Sequence, residues 1–138
     1  MRICHVSPHL PPDQAANALL PAQLGTWSHA AGAEVSFITQ PPSQGRGSGE
    51  PLPGPVRRVA TRSGSRLQQL LRIDSLRRGR STLAALRELA GDADLLHLHS
   101  NGLIIEVAAA WARRRRLPYV LTLYDTEIWH YRRRWPID

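Results

Sequence analysis

The sequence of 138 residues contains no lysine, a single cysteine and no hydrophobic run long enough to cross a bilayer. The single thiol, Cys4, excludes an internal disulfide and is typical of a reducing compartment. A membrane span needs about 20 apolar residues, and the best candidate, 102–112, is interrupted by Glu106. The apolar stretch at the start of the chain is too short for a signal peptide and contains His5. We therefore expect a cytoplasmic protein.

Arginine supplies all 18 basic residues, against 11 acidic ones, and the formal net charge is +7. Nucleic-acid binders usually use both basic residue types and interleave them with aromatic residues, which is not the case here. We therefore predict no nucleic-acid partner. The arginines between 66 and 87 and the run Arg113–Arg116 are either solvated faces or a surface for anionic lipid at the inner face of a membrane.

No glycine lies between Ser7 and Gly25, so the glycine-rich phosphate loops of dinucleotide-binding proteins and of P-loop proteins are absent there. The connection instead contains Ala15 and Ala16, which allow a ligand to approach the backbone fairly closely. The N-terminus of the helix that follows favours an anion or a hydroxyl group. A ligand-binding loop and an ordinary connection are the two alternatives for this segment.

The spacing of apolar residues predicts strands that alternate with helices. The predicted strands are 2–7, 34–40, 56–60, 94–99 and 117–124. The predicted helices are 15–31, two pieces at 65–76 and 81–90 with Gly79 between them, 103–116, and one over 125–134. Asn17 is predicted to cap the first helix, with Pro21 in its first turn. The segment 41–55 is dense in proline, glycine and serine and is predicted to be a mobile loop within a single domain, 1–138.

This alternation predicts the α/β class, with a Rossmann-like open parallel sheet, strand order 3-2-1-4-5 and helices on both faces. Strands one, four and five then end at the same edge of the sheet, where ligands bind in such folds. Polar residues follow each of these strands, and Asp125 or Glu127 would accept hydrogen bonds from sugar hydroxyls or serve as a base. The residues brought to this edge are Ser7, His9, Asp13, His99, Ser100, Asn101, Tyr124, Asp125 and Glu127.

Histidines are concentrated in the first and fourth predicted strands. His97 and His99 are two residues apart and so face the same way, and His5 and His9 come from the neighbouring strand and its loop. Together with Cys4 they are a possible zinc ligand set, but no pair has the spacing of a known metal motif. The alternative is that one ring packs within the sheet while another donates to a sugar or phosphate oxygen, and we predict no metal.

Four segments, in order along the chain, resemble the N-terminal domain of family 4 glycosyltransferases. They are Arg2-Ile-Cys-His-Val-Ser-Pro-His-Leu-Pro-Pro-Asp13, Ala31-Gly-Ala-Glu-Val-Ser-Phe-Ile-Thr39, Asp94-Leu-Leu-His-Leu-His-Ser100 and Leu121-Thr-Leu-Tyr-Asp-Thr-Glu-Ile-Trp129. The resemblance implies a GT-B fold, in which an acceptor-binding domain faces a nucleotide-sugar-binding domain across a cleft. It also implies a retaining, metal-independent enzyme that acts on lipid-linked or cell-envelope acceptors.

The chain departs from the family pattern in three places. Gln14-Ala-Ala-Asn-Ala18 replaces the adjacent glycines and glutamate of the family's first loop. Tyr124 and Asp125 replace a histidine and a glycine at the end of the fifth strand, and a tyrosine is a poor base at neutral pH. The acidic pair of the nucleotide-binding domain has no counterpart. We therefore expect one acceptor-side half, short of its last strands and inactive alone.

The expected function is thus acceptor binding within a complete glycosyltransferase. A nucleotide-sugar is its substrate, no cofactor is needed, and the missing C-terminal nucleotide-sugar-binding domain is its partner. The alternative is a non-catalytic Rossmann-like module that binds a glycan or a protein. No catalytic residue is assigned. The residues expected to bind substrate are His9, Asp13, Asn17, His99, Ser100, Asn101, Tyr124, Asp125 and Glu127.

Overall fold

The computed structural model describes residues 1–42, 51–59 and 73–124. Five strands and three helices alternate within these ranges. They are β1 (Arg2–Ser7), α1 (Ala16–Ala30), β2 (Glu34–Thr39), β3 (Val56–Arg58), α2 (Ile73–Leu89), β4 (Leu95–His99), α3 (Leu103–Arg115) and β5 (Tyr119–Thr122). The predicted helix over 125–134, most of the predicted loop 41–55 and the predicted helical residues 65–72 lie outside the described residues.

The strands form one parallel sheet in the order β3-β2-β1-β4-β5, as the sequence predicts. A connection from one strand to its parallel neighbour must return along the sheet. The helix α1 makes this return between β1 and β2, and α3 makes it between β4 and β5. The order places β1 between β2 and β4, so the chain crosses over β1 to continue on its other side. The carboxyl ends of β1, β4 and β5 consequently lie at one edge of the sheet.

Side chains of alternate residues pack on opposite faces of the sheet, because successive residues of a strand point to opposite sides. The helices α2 and α3 cover one face, and α1 covers β1 and β2 on the other face. The core under α2 and α3 includes Cys4, Val6, Ile38, Leu86, Leu96, Leu98, Ile104 and Trp111. The core under α1 includes Ile3, Leu10, Ala22, Val35 and Phe37. The predicted helices on both faces are therefore confirmed.

The helix α2 is continuous through Gly79, so the predicted break at this glycine is wrong. A glycine inside a helix costs only about 1 kcal/mol relative to alanine. Ala85 and Leu86, which follow Gly79 on the same helix, are completely buried against the sheet. Burial of this apolar stripe outweighs the local preference of one glycine.

The start of α1 also differs from the prediction. The N-cap is Ala15, which has an extended backbone and makes no side-chain capping bond, so Asn17 is not the cap. The Ala15 carbonyl accepts hydrogen bonds from the N–H groups of Ala18 and Leu19, so the helix is already formed at Asn17. Pro21 therefore lies inside the helix rather than in its first turn, where its ring has no N–H to continue the hydrogen-bond ladder.

Gly25 in α1 and Gly79 in α2 provide a matched test of this packing. A methyl group on Gly25 would overlap the Phe37 ring, whereas at Gly79 the nearest atom is Val107 Cγ2 at 4.0 Å. We expect Gly25→Ala to lower the free energy of unfolding by about 1–3 kcal/mol through overpacking. We expect Gly79→Ala to raise it by about 0.5–1 kcal/mol through helix propensity. Urea unfolding followed by circular dichroism measures both, and changes of the same sign would contradict the close approach of α1 to β2.

Candidate functional site

Three histidines lie side by side on the face of the sheet that α1 covers in part. His5 belongs to β1, and His97 and His99 belong to the neighbouring strand β4, where His97 lies directly opposite His5. His5 and His99 are completely buried and His97 is half-buried. The parallel pairing of β1 with β4 therefore brings together residues that are more than 90 positions apart in the sequence.

Each of the three rings hydrogen-bonds to a side chain on the next strand of the sheet. His5 Nδ1 lies 3.0 Å from His99 Nε2, His97 Nε2 lies 2.8 Å from Thr122 Oγ1, and His99 Nδ1 lies 2.7 Å from Tyr124 Oη. In each case the partner is two positions beyond the residue directly opposite, because side chains lean along the strand and reach diagonal neighbours. The network runs from the centre of the sheet towards the end of β5.

The rings of His5, His99 and Tyr124 are nearly coplanar and meet edge to edge. The planes of His5 and His99 differ by 13° and those of His99 and Tyr124 by 1°. A hydrogen bond between ring atoms of coplanar rings lies in the ring plane, which is where N–H groups and nitrogen lone pairs point. By contrast, His97 packs its face on His99, with ring centres 4.1 Å apart.

Burial keeps all three imidazoles neutral. Loss of solvation lowers the pKa of His5 to about 4 and that of His99 to about 2, and the charges of the neighbouring histidines act in the same direction. Burial also lowers the pKa of His97. Each neutral ring has one N–H donor and one lone pair, so the network depends on which nitrogen carries the proton.

The three histidines offer nitrogen atoms that lie within 4.8 Å of one another, which raises the question of a metal. His5 Nδ1 and His99 Nε2 point at each other across 3.0 Å. A zinc ion between them would need bonds of about 2.0–2.1 Å to each, so it cannot lie in line with the two nitrogens as they stand. The arrangement fits a hydrogen-bonded network, and the absence of a metal stays a prediction.

The connection after β1 forms a second polar group at the same edge. Ser7 Oγ donates to the carbonyl of His9 at 2.7 Å, and His9 Nδ1 lies 3.2 Å from Asp13 Oδ2. Asp13 is only 6% exposed, whereas the His9 side chain is 37% exposed. The carboxylate can only accept, so a neutral His9 donates from Nδ1 to Asp13 and keeps its Nε2 lone pair for a ligand.

The turn after β4 has an unusual backbone. Ser100 has φ of 65° and Gly102 has φ of 108°, and a left-handed conformation costs a residue other than glycine about 1–2 kcal/mol. The Ser100 N–H donates to the Thr122 carbonyl at 2.8 Å and extends the pairing of β4 with β5. Backbone strain of this kind is concentrated at functional sites, and here it turns Ser100 and Asn101 away from the strand direction.

The structure brings six of the predicted substrate-binding residues to the carboxyl edge of the sheet. They are His9, Asp13, His99, Ser100, Asn101 and Tyr124. Asn17 lies in the first turn of α1, and its Oδ1 is buried without a hydrogen-bond partner among the described residues. Asp125 and Glu127 lie outside the described residues. Whether any of these side chains binds substrate stays a prediction.

Sequence reasoning did not include His5, His97 or Thr122 in the site. The signal was present, because His97 and His99 alternate along one strand and the predicted order places His5 on its neighbour. The diagonal lean of the side chains, which joins these residues into a network, has no counterpart in the sequence. The predicted residues are therefore one part of a larger arrangement that extends under the surface.

The parallel sheet, its strand order and the helices on its two faces define a Rossmann-like α/β domain. Residues 21–137 match the family described as "Glycosyl transferase 4-like domain". The match covers most of the sequence, and the chain belongs to this family of glycosyltransferase domains. No curated protein matches the chain.

Among solved structures, the chain is similar to sucrose-phosphate synthase from Thermosynechococcus elongatus, with a TM-score of 0.57 and 18% sequence identity. The likeness covers 94% of this chain and 34% of that chain, so this chain spans about a third of the length of the protein that it resembles. At this identity the likeness shows the fold alone. It confirms the predicted Rossmann-like half of a GT-B fold.

The buried histidines predict a stability that depends on pH. In the unfolded chain they take up protons near pH 6.5, whereas in the folded chain the pKa of His5 is about 4, so the unfolded state binds more protons between these values. The contribution of these neutral rings to the free energy of unfolding is therefore fully present above about pH 6.5 and is lost as the pH falls. For His5 alone the loss is roughly 3 kcal/mol at pH 4. Urea unfolding at a series of pH values measures this slope.

A variant and a control separate the buried rings from the other titrating groups. His5→Phe keeps the ring shape without a titrating group, and we expect a shallower loss of stability between pH 6.5 and 4 whatever its stability at pH 7. His29→Gln removes an exposed histidine outside the network, at the end of α1, and is the control for the loss of one histidine. An equal slope in the wild-type protein and in His5→Phe would contradict a neutral, buried His5.

Proposed function

We propose that this chain is the acceptor-binding half of a retaining glycosyltransferase, which transfers a sugar from a nucleotide-sugar to a hydroxyl of a glycan or of a lipid-linked acceptor. One observation carries the proposal. In a domain of the glycosyltransferase 4-like family, two hydrogen-bonded pairs, His9 with Asp13 and His99 with Tyr124, lie at the sheet edge where this class of fold binds ligands.

The His9–Asp13 pair is suited to a hydroxyl group. Asp13 accepts from Nδ1 of His9 and so fixes both the tautomer and the orientation of the ring. Nε2 of His9 then accepts a hydrogen bond from an acceptor hydroxyl, and this contact holds the hydroxyl oxygen in place for transfer. Ser100 and Asn101, on the turn after β4, supply a hydroxyl and an amide for further hydroxyl groups of the same ligand.

The nucleotide-sugar belongs to a second domain in this proposal. Residues 11–17 contain no glycine, so the backbone of the first loop is poorly suited to approach a diphosphate. The proposed partner is therefore a C-terminal nucleotide-sugar-binding domain, and the proposed reaction needs neither a metal nor a cofactor. The chain on its own would hold the acceptor without transferring a sugar to it.

Ligand binding by the isolated chain tests this division of labour. The chain labelled with ¹⁵N is titrated with a panel of methyl glycosides and, separately, with UDP-glucose, and amide shifts are followed by NMR. We expect glycosides to shift the amides of His9, Leu10 and Asp13 and those of 99–102, because these segments hold the proposed hydroxyl contacts. We expect UDP-glucose to shift them little and no sugar transfer to occur without a second domain.

Matched variants locate the binding. His9→Ala and Asn101→Ala should weaken glycoside binding by about tenfold each, which corresponds to the loss of one hydrogen bond of about 1.4 kcal/mol. Glu34→Gln, at the opposite edge of the sheet, should leave it unchanged. Shifts at 9–13 and 99–102 that only UDP-glucose produces, or transfer by the isolated chain, would contradict the proposal.

A non-catalytic binding module is the second candidate, and the edge strand β5 favours it. Tyr119, Val120 and Leu121 of this strand are 38%, 49% and 47% exposed, and Leu123, which follows the strand, is 42% exposed. An apolar edge of this kind is suited to a protein partner or a second copy of the chain. Dimerisation in size-exclusion chromatography, with glycan binding but no nucleotide-sugar cleavage in the presence of a donor domain, would favour this candidate.

We also propose contact with an anionic membrane surface on the cytoplasmic side. None of the helices in the described ranges is long and apolar enough to cross a membrane. The spacing of Arg77, Arg80 and Arg87 places them on one exposed stripe of α2, where Leu76 is 68% exposed. Arginines beside an exposed leucine suit the interface between headgroups and acyl chains.

Co-sedimentation with vesicles tests this surface. We expect the chain to bind vesicles with 30% phosphatidylserine at low salt, and Arg77→Glu/Arg80→Glu to weaken binding at least tenfold, at about 1 kcal/mol per arginine removed and more for charge reversal. Arg113→Glu/Arg114→Glu makes the same change of charge at the end of α3, near the opposite edge of the sheet, and should have a smaller effect. Equal losses would indicate attraction by net charge and contradict a defined surface on α2.

A further inference from the structure

The chain of hydrogen bonds from His5 through His99 to Tyr124 has a defined inner end. His5 is completely buried, and its Nε2 has no hydrogen-bond partner among the described residues. The face of the His5 ring packs on Phe37, with ring centres 5.3 Å apart. The inner end of the chain therefore stops in apolar surroundings, while its outer end is the partly exposed hydroxyl of Tyr124.

Only two proton arrangements satisfy both hydrogen bonds when the two imidazoles are neutral. In the first, His5 donates from Nδ1 to Nε2 of His99, and His99 donates from Nδ1 to Tyr124 Oη. In the second, every proton is reversed, so that Tyr124 donates to His99 and His99 donates to His5. The first arrangement leaves a lone pair at the buried Nε2 of His5, and the second leaves an N–H group there.

The surroundings of His5 Nε2 determine which of the two proton arrangements is more stable. Buried N–H groups without an acceptor are rarer in proteins than buried acceptors without a donor, because an unpaired donor bears the desolvation penalty of a strongly polarised hydrogen. The first arrangement is therefore the more stable one. In it Tyr124 Oη accepts from His99, and its own proton points away from the sheet.

We propose that the buried pair His5–His99 makes Tyr124 a hydrogen-bond donor towards the ligand, so that Tyr124 binds an anionic oxygen of the substrate, such as a phosphate or carboxylate oxygen, and does not act as a base. His5 and His99 are positioning residues that act through Tyr124. Burial raises the pKa of Tyr124, so the hydroxyl keeps its proton at neutral pH. The identification of this ligand as the sugar acceptor rests on the proposed function, whereas the direction of the proton does not.

This proton arrangement favours sugar acceptors that carry an anionic group. A ligand with a phosphate or carboxylate beside the reacting hydroxyl gives Tyr124 an oxygen that carries no proton, and a hydrogen bond to a charged group is about twice as strong as one between neutral groups. His9, whose Nε2 accepts, and Tyr124, which donates, are therefore complementary at one edge of the sheet. His9 suits the hydroxyl of the acceptor, and Tyr124 suits its anionic group.

NMR of the histidine rings tests the direction directly on the free chain. Long-range ¹H–¹⁵N correlation distinguishes a ring that is protonated at Nδ1 from one protonated at Nε2. We expect His5 and His99 both to carry their proton on Nδ1 at pH 7.5. A proton on Nε2 of either ring would overturn the proposal. This measurement involves no ligand, so its failure is distinct from a failure of the proposed acceptor function.

Inorganic phosphate, added at millimolar concentration and constant ionic strength, tests the anionic ligand. We expect phosphate to shift the ¹³Cζ resonance of Tyr124 in the wild-type chain. In His99→Phe the donor to Tyr124 Oη is lost, the proton of Tyr124 is no longer held towards the ligand, and the shift should fall at least threefold. His97→Gln removes a histidine that hydrogen-bonds to Thr122 instead, and should preserve most of the shift.

Three results would overturn the proposal in this second experiment. They are the absence of a phosphate shift in the wild-type chain, an equal shift in His99→Phe, and loss of the His5 and His99 signals on addition of one equivalent of Zn²⁺ without phosphate. The last would show that the rings rearrange to bind a metal rather than hold a fixed hydrogen-bonded chain. Tyr124→Phe, which keeps the ring and lacks the hydroxyl, should abolish phosphate-induced shifts of the neighbouring amides at 99–101.

Discussion

The pairing of β1 with β4 is the contact on which the rest of the molecule depends. Ile3, Cys4, His5 and Val6 lie opposite Leu95 to Leu98, and hydrogen bonds of Asp94 to the backbone of Arg2 fix the start of the register. The strands are separated by the whole of α1, β2, β3 and α2. The histidines of the hydrogen-bonded network lie on these two strands, and Thr122 and Tyr124 lie on or directly after β5, whose position follows from its pairing with β4.

This register has two consequences because the side chains alternate. A slip by one residue would move Cys4, Leu96 and Leu98 out of the core beneath α2 and α3, so burial of these side chains specifies the pairing. The same register turns His5, His97 and His99 to the other face together. The residues that stabilise the fold and those that build the polar network are thus alternate members of the same two strands.

Much of the architecture follows from sequence patterns. The strand positions, the parallel sheet and the order 3-2-1-4-5 could be predicted because apolar runs of strand length alternate with helical spacing. The continuity of α2 through Gly79 could not, because packing of Ala85 and Leu86 outweighs a small local penalty. The first turn of α1 was misplaced for a related reason, since Ala15 caps it through its backbone alone.

The candidate site could be predicted as a place but not as a network. Polar residues after β1, β4 and β5 mark the sheet edge, and in the structure His9, Asp13, His99, Ser100, Asn101 and Tyr124 lie there. Their part in substrate binding stays a prediction. The hydrogen bonds depend on diagonal reach between strands and on ring orientation, which the order of amino acids does not reveal. His5 is the clearest example, because the sequence groups it with the other histidines but does not reveal its hydrogen bond to His99.

The close approach of α1 at Gly25 has a consequence far from the helix itself. Without a side chain there, the helix backbone lies directly on the ring of Phe37, and Phe37 in turn covers the face of His5. The helix and Phe37 together therefore help to keep His5, including its Nε2, buried from solvent. Because Gly25 has no side chain, α1 packs closely enough to keep His5 buried, and the buried His5 in turn fixes the direction of the proton on Tyr124.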